Sequence, residues 1–335
     1  MNWKLLAGRM IAAWRAYPQA RRRVAAVPAG PPIFLTGTHR SGTTWLAGML
    51  AASGIWYVHE PFFPGKGRWP RSFDYRESGQ RDPNVDALFE DVLSGGFRSA
   101  LQLPNADHPW MPLRMLRTPF QRVLVKDPIA CLLTEYLTRN FGLQTLILFR
   151  HPAGFAASIR RLGWPRGVFL RQFLADQPLM RAHLQPYRAV LQRFAQEDSL
   201  ASATALHGAL STVLWRFVSD GVGTPLIFEQ LCADPLDRLR DVFAQVQLPY
   251  DDTVRDAHRH ACLGKVRPVD DYHPHAVARN SMAMADSWRK QLSDTEQEQV
   301  RSVWSEFNVP LYQEDRDWIG KGTPTAMTGL PETQG

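Results

Sequence analysis

The chain has 335 residues, 44% hydrophobic and 21% charged, which is ordinary globular composition and long enough for one large α/β domain. Its net charge of +7 is concentrated in residues 1–30, where Lys4, Arg9, Arg15, Arg21, Arg22 and Arg23 stand without an acidic residue, leaving only +1 for the rest. A fold without a basic face is a poor nucleic-acid binder, so that class is excluded. The three cysteines, Cys131, Cys232 and Cys262, have neither disulfide nor metal-type spacing, which fits a reducing, cytoplasmic compartment.

In chain order, Trp3, Leu6, Met10, Ile11 and Trp14 recur at helical spacing among arginines. The pattern suits either a helix packed on the domain or a helix making peripheral contact with the inner membrane face through residues 1–25. Prolines 28, 31 and 32 close this segment, and a single domain is expected over residues 31–319, followed by a loose tail over 320–335. Ile33-Phe34-Leu35 reads as a buried strand, Thr43 to Ser53 as a helix, and Ile55 to Val58 as a second strand. From about 61 to 120 the periodicity breaks down, with one helix near Val85 to Leu93, as in an insertion that carries a binding surface. Alternation then resumes: strands at Arg122 to Val125, Thr145 to Phe149 and Leu226 to Phe228, and helices at Ile129 to Arg139, Pro152 to Arg161, Ala203 to Ser219 and Pro235 to Val246. Strands alternating with helices predict an α/β fold, a parallel sheet flanked by helices on both faces, with ligands beyond the strands' C-terminal ends.

The first strand runs into Gly37-Thr38-His39-Arg40-Ser41-Gly42-Thr43-Thr44. Glycines five apart between strand and helix make a P-loop-like frame whose backbone N–H groups and helix N-terminus favour an anion. The triphosphate-binding lysine of G-x-x-x-x-G-K-[ST] is replaced by Thr43, and the cation has moved into the loop as Arg40. That suits a ligand with fewer phosphate charges than ATP.

At this loop the sequence resembles the 3'-phosphoadenosine-5'-phosphosulfate (PAPS)-dependent sulfotransferases, in particular the carbohydrate and protein-tyrosine branch, bacterial type. The likeness rests on Arg40-Ser41-Gly42-Thr43-Thr44-Trp45 and on later segments in the expected order. Leu146 to Phe149 followed by Arg150-His151-Pro152 and Ser158 is similar to the family's 3'-phosphate site. The physics agrees: Arg150 offers a bidentate fork at a strand end, and Ser158 lies about 9 Å along the helix that Pro152 opens. The resemblance implies His39, Arg40, Ser41, Gly42, Thr43, Thr44, Arg150 and Ser158 as donor-binding residues. It extends to Arg279 and Ser281 in a late loop, although spacing varies there. Val123-Leu124-Val125-Lys126-Asp127-Pro128 resembles a segment whose lysine lies near the transferred group, making Lys126 a second cation beside Arg40. Read instead as a P-loop kinase or nucleotidase, the chain would use Asp127 as a magnesium ligand; a non-catalytic glycan- or lipid-binding protein is the third reading. Glu229 with Asp234-Pro235 matches the family mostly as architecture.

The implied reaction moves a sulfuryl group to an acceptor hydroxyl on a glycan, a lipid or a small metabolite, with no metal required. The acceptor needs a base, and His59-Glu60 follows the second strand. The resemblance favours Glu60, with His59 the rival, and strand alternation leads us to expect only one of the two facing the cleft.

Overall fold

A computed structural model of the chain describes residues 30–53, 55–66, 69–93, 122–263 and 284–318. The N-terminal basic segment, much of the insertion, the late loop with Arg279 and Ser281, and the tail lie outside these residues. The elements that follow are β1 (Ile33–Gly37), α1 (Thr43–Ala51), β2 (Trp56–His59), α2 (Pro83–Leu93), β3 (Val123–Lys126), α3 (Thr134–Phe141), β4 (Gln144–Phe149) and α4 (Pro152–Leu162). After them come α5 (Gly167–Ala175), α6 (Arg188–Phe194), α7 (Leu200–Ser219), β5 (Thr224–Ile227), α8 (Phe228–Ala233), α9 (Pro235–Gln245), α10 (Asp252–Leu263), α11 (Asp294–Ser305) and α12 (Asp315–Trp318).

The five strands form one parallel sheet in the order β2-β3-β1-β4-β5. Every residue of β1 and β3 is buried, as expected of strands covered on both faces. Period-2 alternation divides them: Ile33, Leu35, Leu124, Leu146 and Leu148 pack against α1, α8, α9 and α10. Phe34, Trp56, Val58, Val123 and Val125 face the other way toward α2 and α3, while Ile147 and Phe149 join α4, α5, α7 and α11. The twenty-residue α7 is buried along most of its length and forms the axis of that second layer.

β1 lies between β3 and β4, so connections leave it in opposite directions. That is the switch point at which open α/β sheets open a crevice beyond their strand ends. All five strand ends contribute to it.

The expected strands are all present within about two residues. The expected helix from Ile129 is instead a 3-10 turn, Cys131–Leu133, running into α3. Phe228, expected to end a strand, opens α8.

Candidate active site

The loop after β1 turns tightly because two of its glycines do what other residues could not. A Cβ on Gly37 would lie 2.2 Å from the Leu148 carbonyl of β4, and one on Gly42 would lie 2.6 Å from the Phe228 ring; both glycines have positive φ. Between them Arg40 also has φ 67, so the loop backbone turns left-handed at three positions. Gly42 caps α1 without any side-chain hydrogen bond, so the helix's first N–H groups have no capping partner of that kind. Thr38, Ser41 and Thr43 are buried in the turn. The Thr38 and Ser41 hydroxyls have no hydrogen-bond partner among the described residues. A buried set of donors around a helix N-terminus is the arrangement an anionic group completes, so the loop fits a phosphate or phosphosulfate.

Arg150 and Ser158, which the resemblance assigns to a 3'-phosphate, come together with the loop. Arg150 leaves β4 and donates through Nη1 to the Arg40 carbonyl at 2.6 Å, and Arg40 donates through Nε to Ser158 Oγ on α4 at 3.1 Å. The Arg150 guanidinium lies over the Phe228 ring, 4.9 Å from its centre. Gly154 leaves it room, since a Cβ there would be 3.0 Å from Arg150 Nε. Arg40, Arg150 and Ser158 therefore form one cluster, with Arg40 as its link.

On the other side of the switch point, β2 and β3 end side by side with His59 in register with Lys126. Lys126 is fully buried and donates to Glu60 Oε1 at 2.5 Å. Glu60 stands just past the strand at φ 49, its N–H bonded to the Lys126 carbonyl at 2.7 Å. This left-handed turn overrides the strand alternation. His59 Nε2 lies 3.6 Å from Glu60 Oε1, so the two candidate bases sit together rather than on opposite sides as strand alternation would place them. Tyr57 shares a hydrogen bond with His59 Nδ1 at 2.9 Å.

Asp127 explains the rest of the Lys-Asp-Pro segment. Its Oδ2 accepts from the Phe62 N–H, and its Oδ1 from the Ile129 and Ala130 N–H groups. Burial, and next the nearby Glu60, push its pKa up to about 7, against the pull of the Phe62 and Ala130 donors. With both oxygens committed to backbone, the carboxylate anchors the turn that presents Glu60, and the magnesium-ligand reading has no support. Among the described residues no cluster of three or more metal-ligating side chains occurs.

His39 departs from its expected place. It is buried among Phe73, Phe155 and Trp164, stacked on the last at 5.7 Å. Burial, reinforced by His207 and Arg40, pulls its pKa down to about 3, so it is neutral. Trp164 is 38% exposed and lies 5.8 Å from the Arg40 guanidinium; Phe63, three residues past Glu60, is 40% exposed. Trp164 was not singled out for the site from sequence, though a Trp-Pro pair directly after a helix-ending glycine is a legible signal. Arg279 and Ser281 lie outside the described residues.

A family model described as the sulfotransferase family matches residues 31–252, well over half of the chain. The chain belongs to the sulfotransferase family. No curated protein matches it by sequence. Solved structures similar to this sulfotransferase include the sulfotransferase domain from the curacin biosynthetic pathway, at 16% identity over 84% of this chain and 100% of that one, TM-score 0.44. The sulfotransferase domain from the Synechococcus PCC 7002 olefin synthase is 18% identical over 84% and 95%, TM-score 0.44. A mouse sulfotransferase complexed with PAP is 11% identical over 84% and 86%, TM-score 0.41. Among the described residues of this sulfotransferase, no helix is long and apolar enough to cross a membrane.

Proposed function

We propose that the chain transfers a sulfuryl group from PAPS to a hydroxyl of a carbohydrate acceptor. The observation that carries this reading is the joining of the loop after β1 to the Arg150–Ser158 pair through Arg40. An anion site at a helix N-terminus and a second arginine–serine site suit a nucleotide phosphorylated at both its 5' and 3' positions.

PAPS supplies an activated sulfuryl group, whose sulfur–oxygen bond to the 5'-phosphate breaks as the acceptor oxygen bonds to sulfur. Thr43 and Thr44 hydroxyls and the first N–H groups of α1 hold the 5' side, with Ser41 beneath them. Arg150 and Ser158 hold the 3'-phosphate. Glu60, presented as a carboxylate by its ion pair, accepts the acceptor's proton, and His59 stands next to it to share that proton. Lys126 and Arg40 oppose the negative charge that develops on the leaving phosphate. In-line transfer through a loose transition state asks mainly for such positioning and electrostatics.

The carbohydrate class is favoured by Phe63 and Trp164, both part-exposed, the first three residues past Glu60 and the second 5.8 Å from the Arg40 guanidinium. Rings of that kind stack on the C–H faces of sugars. The test is PAPS turnover, read as PAP release, against glycosides, phenols and aliphatic alcohols, with ATP and magnesium as the rival donor. Turnover with PAPS and glycosides supports the reading. Turnover with PAPS and phenols or alcohols only would replace the acceptor class, and phosphoryl transfer from ATP would replace the whole assignment.

A further inference from the structure

The peptide unit joining Arg150 to His151 lies between the end of β4 and the start of α4, and side chains hold both of its polar groups. Its carbonyl pairs with His207 Nε2 of α7 at 2.9 Å. Its N–H donates to Glu229 Oε1 at 3.0 Å. Glu229 is buried at the start of α8, and its second oxygen accepts from the Tyr312 hydroxyl at 2.6 Å. A packing role at this place would be met by an apolar side chain, whereas a buried carboxylate is costly unless donors are aimed at it. Glu229 therefore acts on the peptide from which the Arg150 side chain departs.

Tyr312 is held in an unusual way. Its φ is 60, a left-handed conformation that a bulky residue adopts only when its surroundings force it. Two indoles supply the force: Trp304 Nε1 donates to the Leu311 carbonyl and Trp318 Nε1 to the Tyr312 carbonyl, both at 2.9 Å. The result aims the phenol at Glu229. This segment lies beyond residue 252, where the family match ends.

We propose that Tyr312 and Glu229 are positioning residues for the sulfuryl donor: the C-terminal segment sets the direction in which Arg150 meets the nucleotide's 3'-phosphate. The proposal rests on the reading of Arg150 as the 3'-phosphate ligand. The chain of contacts runs from Tyr312 through Glu229 to the His151 N–H, and on through Arg150 to the Arg40 carbonyl.

The experiment is calorimetric binding of PAP (adenosine 3',5'-bisphosphate) and of adenosine 5'-monophosphate, which lacks the 3'-phosphate, to the full chain. Tyr312→Phe should weaken PAP about five- to ten-fold, the effect of one lost hydrogen bond to a carboxylate partly transmitted. Binding of the monophosphate should be unchanged, so the preference for PAP narrows. Trp318→Phe, which leaves Glu229 untouched, should narrow it in the same direction by less, and serves if Tyr312→Phe does not fold. Glu229→Gln keeps an acceptor for the His151 N–H and should retain most of the preference. In an Arg150→Ala background Tyr312→Phe should have no further effect. Equal weakening of both nucleotides, or unaltered PAP binding in Tyr312→Phe, would overturn the positioning role while leaving the donor assignment intact. A wild type that does not distinguish PAP from the monophosphate would remove the donor assignment itself, and this proposal with it.

Discussion

The Lys126 ammonium meets the Glu60 carboxylate at 2.5 Å across the ends of two neighbouring parallel strands, and the lysine is fully buried. In the proposed reaction the pair would supply a proton acceptor for the hydroxyl beside a cation for the charge that develops on transfer. Glu60→Gln keeps the shape and removes the base. We expect kcat to fall about 10²- to 10⁴-fold with PAP affinity within about two-fold of wild type, measured by turnover and calorimetry. A fall in PAP affinity with unchanged kcat would move Glu60 from catalysis to binding.

Asp127 anchors the Glu60 turn through three backbone N–H groups. In Asp127→Asn the amide nitrogen replaces one acceptor with a donor, leaving at least one buried N–H opposed. Stability should fall by about 1–3 kcal/mol in urea unfolding, with kcat reduced as well. A magnesium-dependent activity lost in this variant at unaltered stability would instead restore the kinase reading.

Trp164 tests the acceptor side. Trp164→Ala should raise KM for a glycoside acceptor about ten-fold and weaken PAP less than that, since the indole is part-exposed although it also lies 5.8 Å from the Arg40 guanidinium. Unchanged KM would separate Trp164 from acceptor binding.

Two buried histidines give the fold an acid limit. Burial pulls His39 and His207 down to about 3 from 6.5, so the native state binds fewer protons than the unfolded chain between those values. Stability from each is complete above pH 6.5 and is lost as pH falls toward 3, at up to about 1.4 kcal/mol per pH unit. His207→Gln preserves a donor for the Arg150 carbonyl. The slope of unfolding free energy between pH 4.5 and 6.5 should be shallower in that variant by about one such increment. Comparing the two proteins removes the contribution of other titrating groups, Asp127 included. Parallel slopes would contradict the assignment.

Much of this architecture is legible in the sequence. The glycine pair of the first loop and the apolar runs of β1, β3 and β4 announce their roles because sterics and burial act locally. The helix of residues 294–305 also carried its start signal, a Ser293–Glu296 capping box, although its largely polar composition hid its periodicity. Other features depend on distant partners. Glu60 lies beside His59 in a turn that Asp127, far along the chain, holds through the Phe62 N–H. Tyr312 reaches Glu229 only because Trp304 and Trp318 hold its backbone left-handed. His39 followed the loop motif in sequence, yet its tertiary setting is an aromatic box.

The donor assignment is tested most directly by calorimetric titration of PAP, with ATP plus magnesium for comparison, into wild type and Arg150→Ala. The account predicts tight PAP binding by wild type, lost by about 10²-fold in the variant as a charge-assisted fork to phosphate is removed, and little binding of ATP. Binding of ATP in place of PAP, or PAP binding indifferent to Arg150, would contradict it.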